Sequence, residues 1–340
     1  MNFNSLWYDN HPLGLALIPL SWLFCVIVWI RRQAYKYGLL TIYHAPVPVI
    51  IVGNITVGGT GKTPLVSWLG QFLQQQGFKP GIVSRGYGGH AKKWPQLVYK
   101  NSDPYLVGDE PVLLARHSGC PVAVAPQRSK AVQSLLKNYD CDIIISDDGL
   151  QHYALHRDIE IAVFDNIRRH GNQHCLPAGP LREPVNRLKQ VDFLVISDKS
   201  NQFTTHNSSE SFTIHHSQFT IHNSSEPLRR ITNEDISQPL SALHNHTVHA
   251  VAGIGNPAQF FAGLQNHGLK LYCHEFGDHH QLKKSDIQFN DDLPVIMTEK
   301  DAVKCRQFAG PQHWYLPIRA IVPNSFGERL LHQLEKIQNG

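Results

Sequence analysis

The stretch IIVGNITVGGTGKTP, residues 50–64, constrains this chain more than any other. A β-branched run through Val47, Val49, Ile50, Ile51 and Val52 leads into a turn containing Gly58, Gly59 and Gly61. Lys62, Thr63 and Pro64 then open a segment in which Leu65, Trp68, Leu69, Phe72 and Leu73 recur at helical spacing. Strand, glycine loop, Gly-Lys-Thr and helix form the layout of a phosphate-binding P-loop. The glycines let the backbone N–H groups face inward, and the helix N-terminus adds partial positive charge. Thr56, Val57, Gly58, Gly59, Thr60, Gly61 and Lys62 are therefore expected to wrap nucleotide phosphates. Lys62 suits the β- and γ-phosphates, and the Thr63 hydroxyl suits Mg2+. The generic pattern has glycine at position 56, where this chain has Thr56.

A P-loop enzyme also needs a carboxylate at the tip of a neighbouring strand to hold Mg2+. The run Asp142-Ile143-Ile144-Ile145-Ser146 predicts a buried parallel strand that ends in Asp147-Asp148-Gly149. Asp147 and Asp148 are the metal candidates, and Gln151 and His152 follow closely enough to share the site. Gly81 to Ser84 predicts another strand, running into Arg85-Gly86-Tyr87-Gly88-Gly89, where Arg85 is placed to meet phosphate. Arg128 and Arg182 are further phosphate candidates. Asp109 and Glu110, in Gly108-Asp109-Glu110-Pro111, stand where acidic residues cap a helix.

Alternating short strands and helices predict an α/β fold: a P-loop NTPase-like, mostly parallel sheet with helices on both faces. The domain reading is an N-terminal hydrophobic helix over 1–38, a P-loop core over 39–200, an insertion over 201–227 and a smaller α/β lobe over 228–340. The insertion repeats itself, QFTTHNSSE at 202–210 and QFTIHNSSE at 218–226, and its polar composition predicts a solvent-exposed loop. In the last lobe, Trp314 to Ile318 is expected to close the sheet, and Gly253-x-Gly255 lacks the third glycine of a dinucleotide fingerprint.

Pro12 to Ile30 is a stretch of 19 residues without a formal charge, followed at once by Arg31, Arg32 and Lys36. As one helix it would extend about 28 Å, close to a bilayer core. Three readings compete: a single span, an interfacial helix in one leaflet, and a buried core helix. The first two put the body on the cytoplasmic face of the membrane, because the basic residues follow the apolar run. A net charge of +4 excludes a strongly nucleic-acid-like balance, so no nucleic acid is expected. Six scattered cysteines without a Cys-x-x-Cys argue against a disulfide framework or structural zinc. No obligate protein partner is evident in the sequence.

TVGGTGKTP (56–64), SRGYGG (84–89), VGDEP (107–111), DDGLQH (147–152), LPAGPLREP (176–184), DHH (278–280) and TEKDAVK (298–304) occur in this order. With the N-terminal hydrophobic helix, they resemble the tetraacyldisaccharide 4'-kinase family, the lipid A 4'-kinases of Gram-negative bacteria. Thr56 matches that family's own pattern. The resemblance implies ATP and Mg2+ as cofactors and transfer of the γ-phosphoryl group to the 4'-hydroxyl of a tetraacylated glucosamine disaccharide 1-phosphate, giving lipid IVA. It implies Asp109 as the base, oriented by a histidine of Asp278-His279-His280, assigned to His279 ahead of His280. The alternative from the residues alone is a membrane-associated P-loop GTPase or ATPase switch, or a metallochaperone. A GTPase needs Asn-Lys-x-Asp, and Thr298-Glu299-Lys300-Asp301 is the nearest echo, out of register.

Overall fold

The computed structural model describes residues 7–8, 12–166, 168–198, 217–225 and 227–339. Along the chain run α1 (Pro12–Ala16), α2 (Ile18–Lys36), β1 (Val49–Gly53), α3 (Lys62–Gln75), β2 (Pro80–Ser84), β3 (Gln96–Val98), α4 (Pro104–Val107) and α5 (Asp109–His117). Next come β4 (Val122–Val124), α6 (Arg128–Asn138), β5 (Ile143–Ser146), β6 (Ile159–Asp165), β7 (Phe193–Asp198), β8 (Ser217–Ser225), β9 (Leu228–Arg230) and β10 (Ser237–Gln238). The chain finishes with β11 (Thr247–Ala252), α7 (Pro257–Asn266), β12 (Lys270–Glu275), α8 (Lys284–Ile287), β13 (Val295–Thr298), α9 (Glu299–Cys305), β14 (His313–Leu316), β15 (Ile318–Ile321) and α10 (Asn324–Asn339).

Two sheets organise these elements. The first has the order β15-β8-β7-β6-β1-β5-β2-β4-β3 and is parallel except at its two ends. Its centre is buried on both faces, as a parallel sheet between helices must be. Along β1, Ile50 and Val52 join Leu65, Leu69 and Phe326 on one side. Val49 and Ile51 join Val132 and Leu135 on the other. Each such Ile or Leu, fully buried, contributes about 2 kcal/mol. β1 thus fixes the P-loop at its C-terminal end, and β5, its parallel neighbour, delivers Asp147 and Asp148 beside it. The fold is the expected α/β, P-loop NTPase-like one.

The second sheet has the order β10-β9-β14-β13-β11-β12. Here β14 lies inside, between β13 and β9, instead of closing the sheet as the sequence predicts. The chain then leaves: β15 pairs antiparallel with β8 in the first sheet, and Phe326, Leu330 and Leu334 of α10 enter the first core.

Two expectations are corrected. The part of the duplicated insertion that the structure describes, 217–225, is strand β8, paired along its length with β7 and with β15. An alternating polar sequence suits a strand near a sheet edge, where one face is not required to be apolar. The first copy, 202–210, lies outside the described residues. The apolar N-terminal run is not one straight span. It divides at Leu17 into α1 and α2, with Pro19 in the first turn of α2. Among the described residues no helix is long and apolar enough to cross a membrane. One side of α2 packs on the body: Ser21 is buried and its hydroxyl donates to the Cys175 carbonyl at 2.7 Å, with Phe24 and Cys25 against the core. The other side exposes Trp22, Leu23, Val26, Ile27, Trp29 and Ile30.

Candidate active site

The P-loop turns through positive φ at Gly58 (105°) and Gly61 (87°), conformations that favour glycine. Gly61 hands the chain to α3, so Lys62 and Thr63 sit in the first helical turn, where unpaired N–H groups and the helix dipole attract anions. Thr56 acquires a physical reason here. Asn54 donates through Nδ2 to Thr56 Oγ1 (3.2 Å) and accepts from Lys62 Nζ through Oδ1 (3.1 Å). The threonine hydroxyl, which glycine lacks, therefore sets the amide that sets the lysine. The LPAGPLREP segment is laced to the same loop, with Val57 N donating to Pro180 O (2.8 Å) and Arg182 N to Ile55 O (2.6 Å).

The two aspartates are chemically unlike. Asp148 pairs with Lys62 Nζ (3.1 Å) and Arg182 Nη1 (3.0 Å). Burial would raise its carboxyl, but Lys62 and Arg182 outweigh that and hold it well below the usual carboxylate range. Asp147 is 1% exposed; Ser84 Oγ donates to its Oδ2 at 3.3 Å, and its Oδ1 has no partner among the described residues. Burial, then the charges of Glu110 and Asp148, push its carboxyl up to about 7. A buried carboxylate oxygen without a partner is what a cation would satisfy. Among the described residues no group of three or more His, Cys, Asp or Glu side chains could hold a metal.

The arginines divide by role. Arg128, 3% exposed, donates through Nη2 to the carbonyls of Asp147 and Asp148, both at 3.2 Å, and so braces the turn after β5. Arg182 is committed to Asp148. Arg85 is exposed on the cavity wall and makes no ion pair among the described residues. His152 accepts from Arg128 N (3.3 Å); burial, then Arg128 and Arg157, lower its pKa to about 4, so it is neutral.

Asp109 and His279, far apart in sequence, meet. His279 Nδ1 lies 3.2 Å from Asp109 Oδ2. Burial would raise the Asp109 carboxyl, but the His279 hydrogen bond, Lys300 and Lys304 lower it to about 2. Burial would lower the His279 pKa, but Asp109 raises it above its ordinary value. Behind them stands a lattice of charge. Lys300 Nζ bridges Glu110 Oε1 and Asp278 Oδ1, both at 3.2 Å, and reaches His279 Nε2 at 3.2 Å. Lys304 Nζ holds Asp301 (2.8 Å) and approaches Asp109 Oδ2 (3.7 Å). His280 instead faces Asp286 (3.1 Å). Asp109 sits at the start of α5, as a capping residue would, but its Oδ2 is turned to the second lobe.

The sequence reading missed two partners across this gap. The Gly253–Gly255 turn, discounted as a fingerprint, lies against the P-loop: a Cβ on Gly255 would stand 3.7 Å from Gly59 N. Arg168 ties the two, donating to Gly255 O at 2.8 Å. Lys300, quoted only within a motif, bridges the lobes. The signal for both was position, a polar or glycine turn directly after a buried strand.

One cavity of about 1160 Å³ takes in Lys62, Arg85, Glu110, Asp148, Gln151 and His279. It reaches Phe24, Ile27 and Arg31 on α2 in one direction and Phe260 and Ile318 in another. Asp109 lies outside its wall, behind His279.

Residues 13–335 match the family model for tetraacyldisaccharide-1-P 4'-kinase. Among curated relatives, the tetraacyldisaccharide 4'-kinase of Nitrosococcus oceani is 49% identical over 332 residues, covering 97% of this chain and 93% of its own. That of Hahella chejuensis is 44% identical over 340 residues, covering 98% and 96%. Among solved structures, the "apo" form of LpxK from Aquifex aeolicus in complex with ATP superposes with a TM-score of 0.78 at 28% identity, covering 95% of this chain and 99% of that one.

Proposed function

The chain belongs to the tetraacyldisaccharide-1-P 4'-kinase family, and we propose that it transfers the γ-phosphoryl group of ATP to the 4'-hydroxyl of a tetraacylated glucosamine disaccharide 1-phosphate, giving lipid IVA. One observation carries the reading. A P-loop lysine and the imidazole of an acid–imidazole pair border the same cavity, and that cavity opens along a helix whose outer face is apolar. The GTPase or metallochaperone alternative has no comparable support.

Phosphoryl transfer needs positioning and charge neutralisation more than covalent help. The loop amides from Thr56 to Gly61, except that of Val57, which donates to Pro180 O, hold the phosphates with Lys62, and Arg85 supplies a cation at the wall. Thr63 and Asp147 would hold Mg2+, Asp148 being committed to Lys62 and Arg182; the metal would neutralise charge on the phosphate oxygens. A sugar hydroxyl is a weak nucleophile at neutral pH, and a positioned base helps remove its proton. Asp109 and His279 act as one base, the imidazole next to the cavity and the carboxylate behind it stabilising the imidazolium. Mixing the protein with Mg-ATP and tetraacyldisaccharide 1-phosphate should give a bisphosphorylated lipid by mass spectrometry. Protein that binds ATP yet makes none would sink the assignment.

The division into a P-loop body, a duplicated insertion and a smaller lobe is part of this proposal, with lobe closure assembling the dyad. So is the location. The exposed face of α2 lies in one leaflet of the inner membrane, on its cytoplasmic side, and Arg31, Arg32 and Lys36 meet anionic headgroups at about 1 kcal/mol each.

A further inference from the structure

Gln151 stands in the cavity wall with both of its amide hydrogens spent. Nε2 donates to the Asn54 backbone carbonyl at 3.0 Å and to Glu183 Oε2 at 2.9 Å. Both partners only accept: a carbonyl has no proton, and an ionised carboxylate has none. The amide nitrogen must therefore face them, and Oε1 faces away. Gln151 Oε1 has no partner among the described residues.

Glu183 is built to impose this orientation. It is 1% exposed, and its second oxygen accepts from the Tyr153 hydroxyl. Arg187 Nε lies 3.9 Å from Oε2, and the Arg187 guanidinium also pairs with Glu160. The carboxylate is thus compensated by charge and hydrogen bonds without touching the cavity.

An oxygen that only accepts is a poor neighbour for a triphosphate, which offers oxygens alone, and the nucleotide's own donors, the ribose hydroxyls and the adenine amine, lie on the far side of the phosphates that the P-loop and Lys62 hold. It fits a hydroxyl or an amide N–H. Gln151 also lies toward α2: Tyr153, two residues on, is 6.2 Å ring to ring from Tyr35, with the Arg32 guanidinium 5.8 Å from its centroid. That is the side on which the cavity meets Phe24, Ile27 and Arg31. Resting on the proposed kinase reading, we propose that Gln151 accepts a hydrogen bond from a hydroxyl or amide N–H of the acceptor sugar, not from the nucleotide, and that buried Glu183 is the positioning residue that fixes its carbonyl outward.

A double-mutant cycle tests this. Wild type, Gln151→Met, Glu183→Met and the double variant are assayed with Mg-ATP and tetraacyldisaccharide 1-phosphate, with thermal unfolding recorded for each. Gln151→Met should raise the acceptor KM about tenfold and leave the ATP KM within about twofold, the scale of one lost hydrogen bond. Glu183→Met should shift the same constant, and the double variant should be no worse than the worse single one. A rise in the ATP KM matching that in the acceptor KM overturns the proposal, and so do single effects that multiply. If Glu183→Met does not fold, the split between the two KM values in Gln151→Met decides alone. ATP-binding wild-type protein that makes no bisphosphorylated lipid would instead refute the kinase reading, and this inference with it, whatever the variants do.

Discussion

The two halves of the proposed site are built in opposite ways. The phosphate half comes from one sheet, from short runs directly after two adjacent strands: Gly61, Lys62 and Thr63 follow β1, and Asp147 and Asp148 follow its neighbour β5. Its charges are balanced locally, with Lys62 and Arg182 on Asp148. The proton half exists only where two lobes meet. Asp109 begins α5 in the first lobe, and His279, Lys300 and Lys304 come from the second. The first half is preorganised by backbone geometry and survives any small shift of the lobes. The second depends on their relative position, because a hydrogen bond is lost over an ångström or two.

The sharpest break in the comparison is Lys62→Ala. It should lower kcat about 1000-fold by removing charge stabilisation of the transferred group, while circular dichroism stays native. Retained turnover would remove the lysine from the phosphate half.

Asp109→Asn comes next. It should lower kcat about 100- to 1000-fold, with ATP affinity changed less than about threefold by equilibrium binding. Equal losses in turnover and ATP affinity would merge the halves into one phosphate site and contradict the base role.

The pH dependence of kcat/KM sharpens the division further. Proton acceptance needs neutral imidazole beside ionised Asp109. Asp109 raises the His279 pKa, so wild-type activity should climb as pH rises through a limb above about 6.5. In Asp109→Asn the carboxylate charge is gone and the limb should move to lower pH. In Lys300→Met a neighbouring cation is gone and it should move to higher pH. Limbs that stay in place in both variants would uncouple the imidazole from catalysis. Lys300→Met should also cost about tenfold in kcat, by loosening the bridge from Glu110 to Asp278.

The smallest effect belongs to the helix outside both halves. Trp22→Ser with Ile27→Ser should reduce sedimentation with anionic vesicles several-fold and raise the KM for lipid acceptor, leaving ATP binding unchanged. Unchanged vesicle binding would move the membrane contact elsewhere on the protein.

How much was legible in advance follows the same division. Residues 50–64 and 143–149 announced strand, loop and carboxylate through apolar runs that end in glycine or aspartate, because a buried parallel strand admits little else. The adjacency of their strands in the sheet was implied by the P-loop pattern, but the pairing of Asp148 with Lys62 was not. The 217–225 repeat misled, since polar alternation reads alike for a surface loop and for a strand near an edge, and only pairing with β7 and β15 distinguishes them. The apolar run at 12–30 misled differently. Hydropathy counts residues but not faces, and Ser21 on the Cys175 carbonyl turns one face inward.

The sequence by itself determined the phosphate-binding strand–loop–helix unit, the α/β class and the family, because these rest on local backbone demands and on short runs of residues. The tertiary structure alone decided that Asp147 keeps an open oxygen while Asp148 is consumed, that the Gly253–Gly255 turn abuts the P-loop, and that Gln151 presents its carbonyl to the cavity. Each depends on which partner a polar atom meets, and the partners lie from tens to nearly two hundred residues away along the chain.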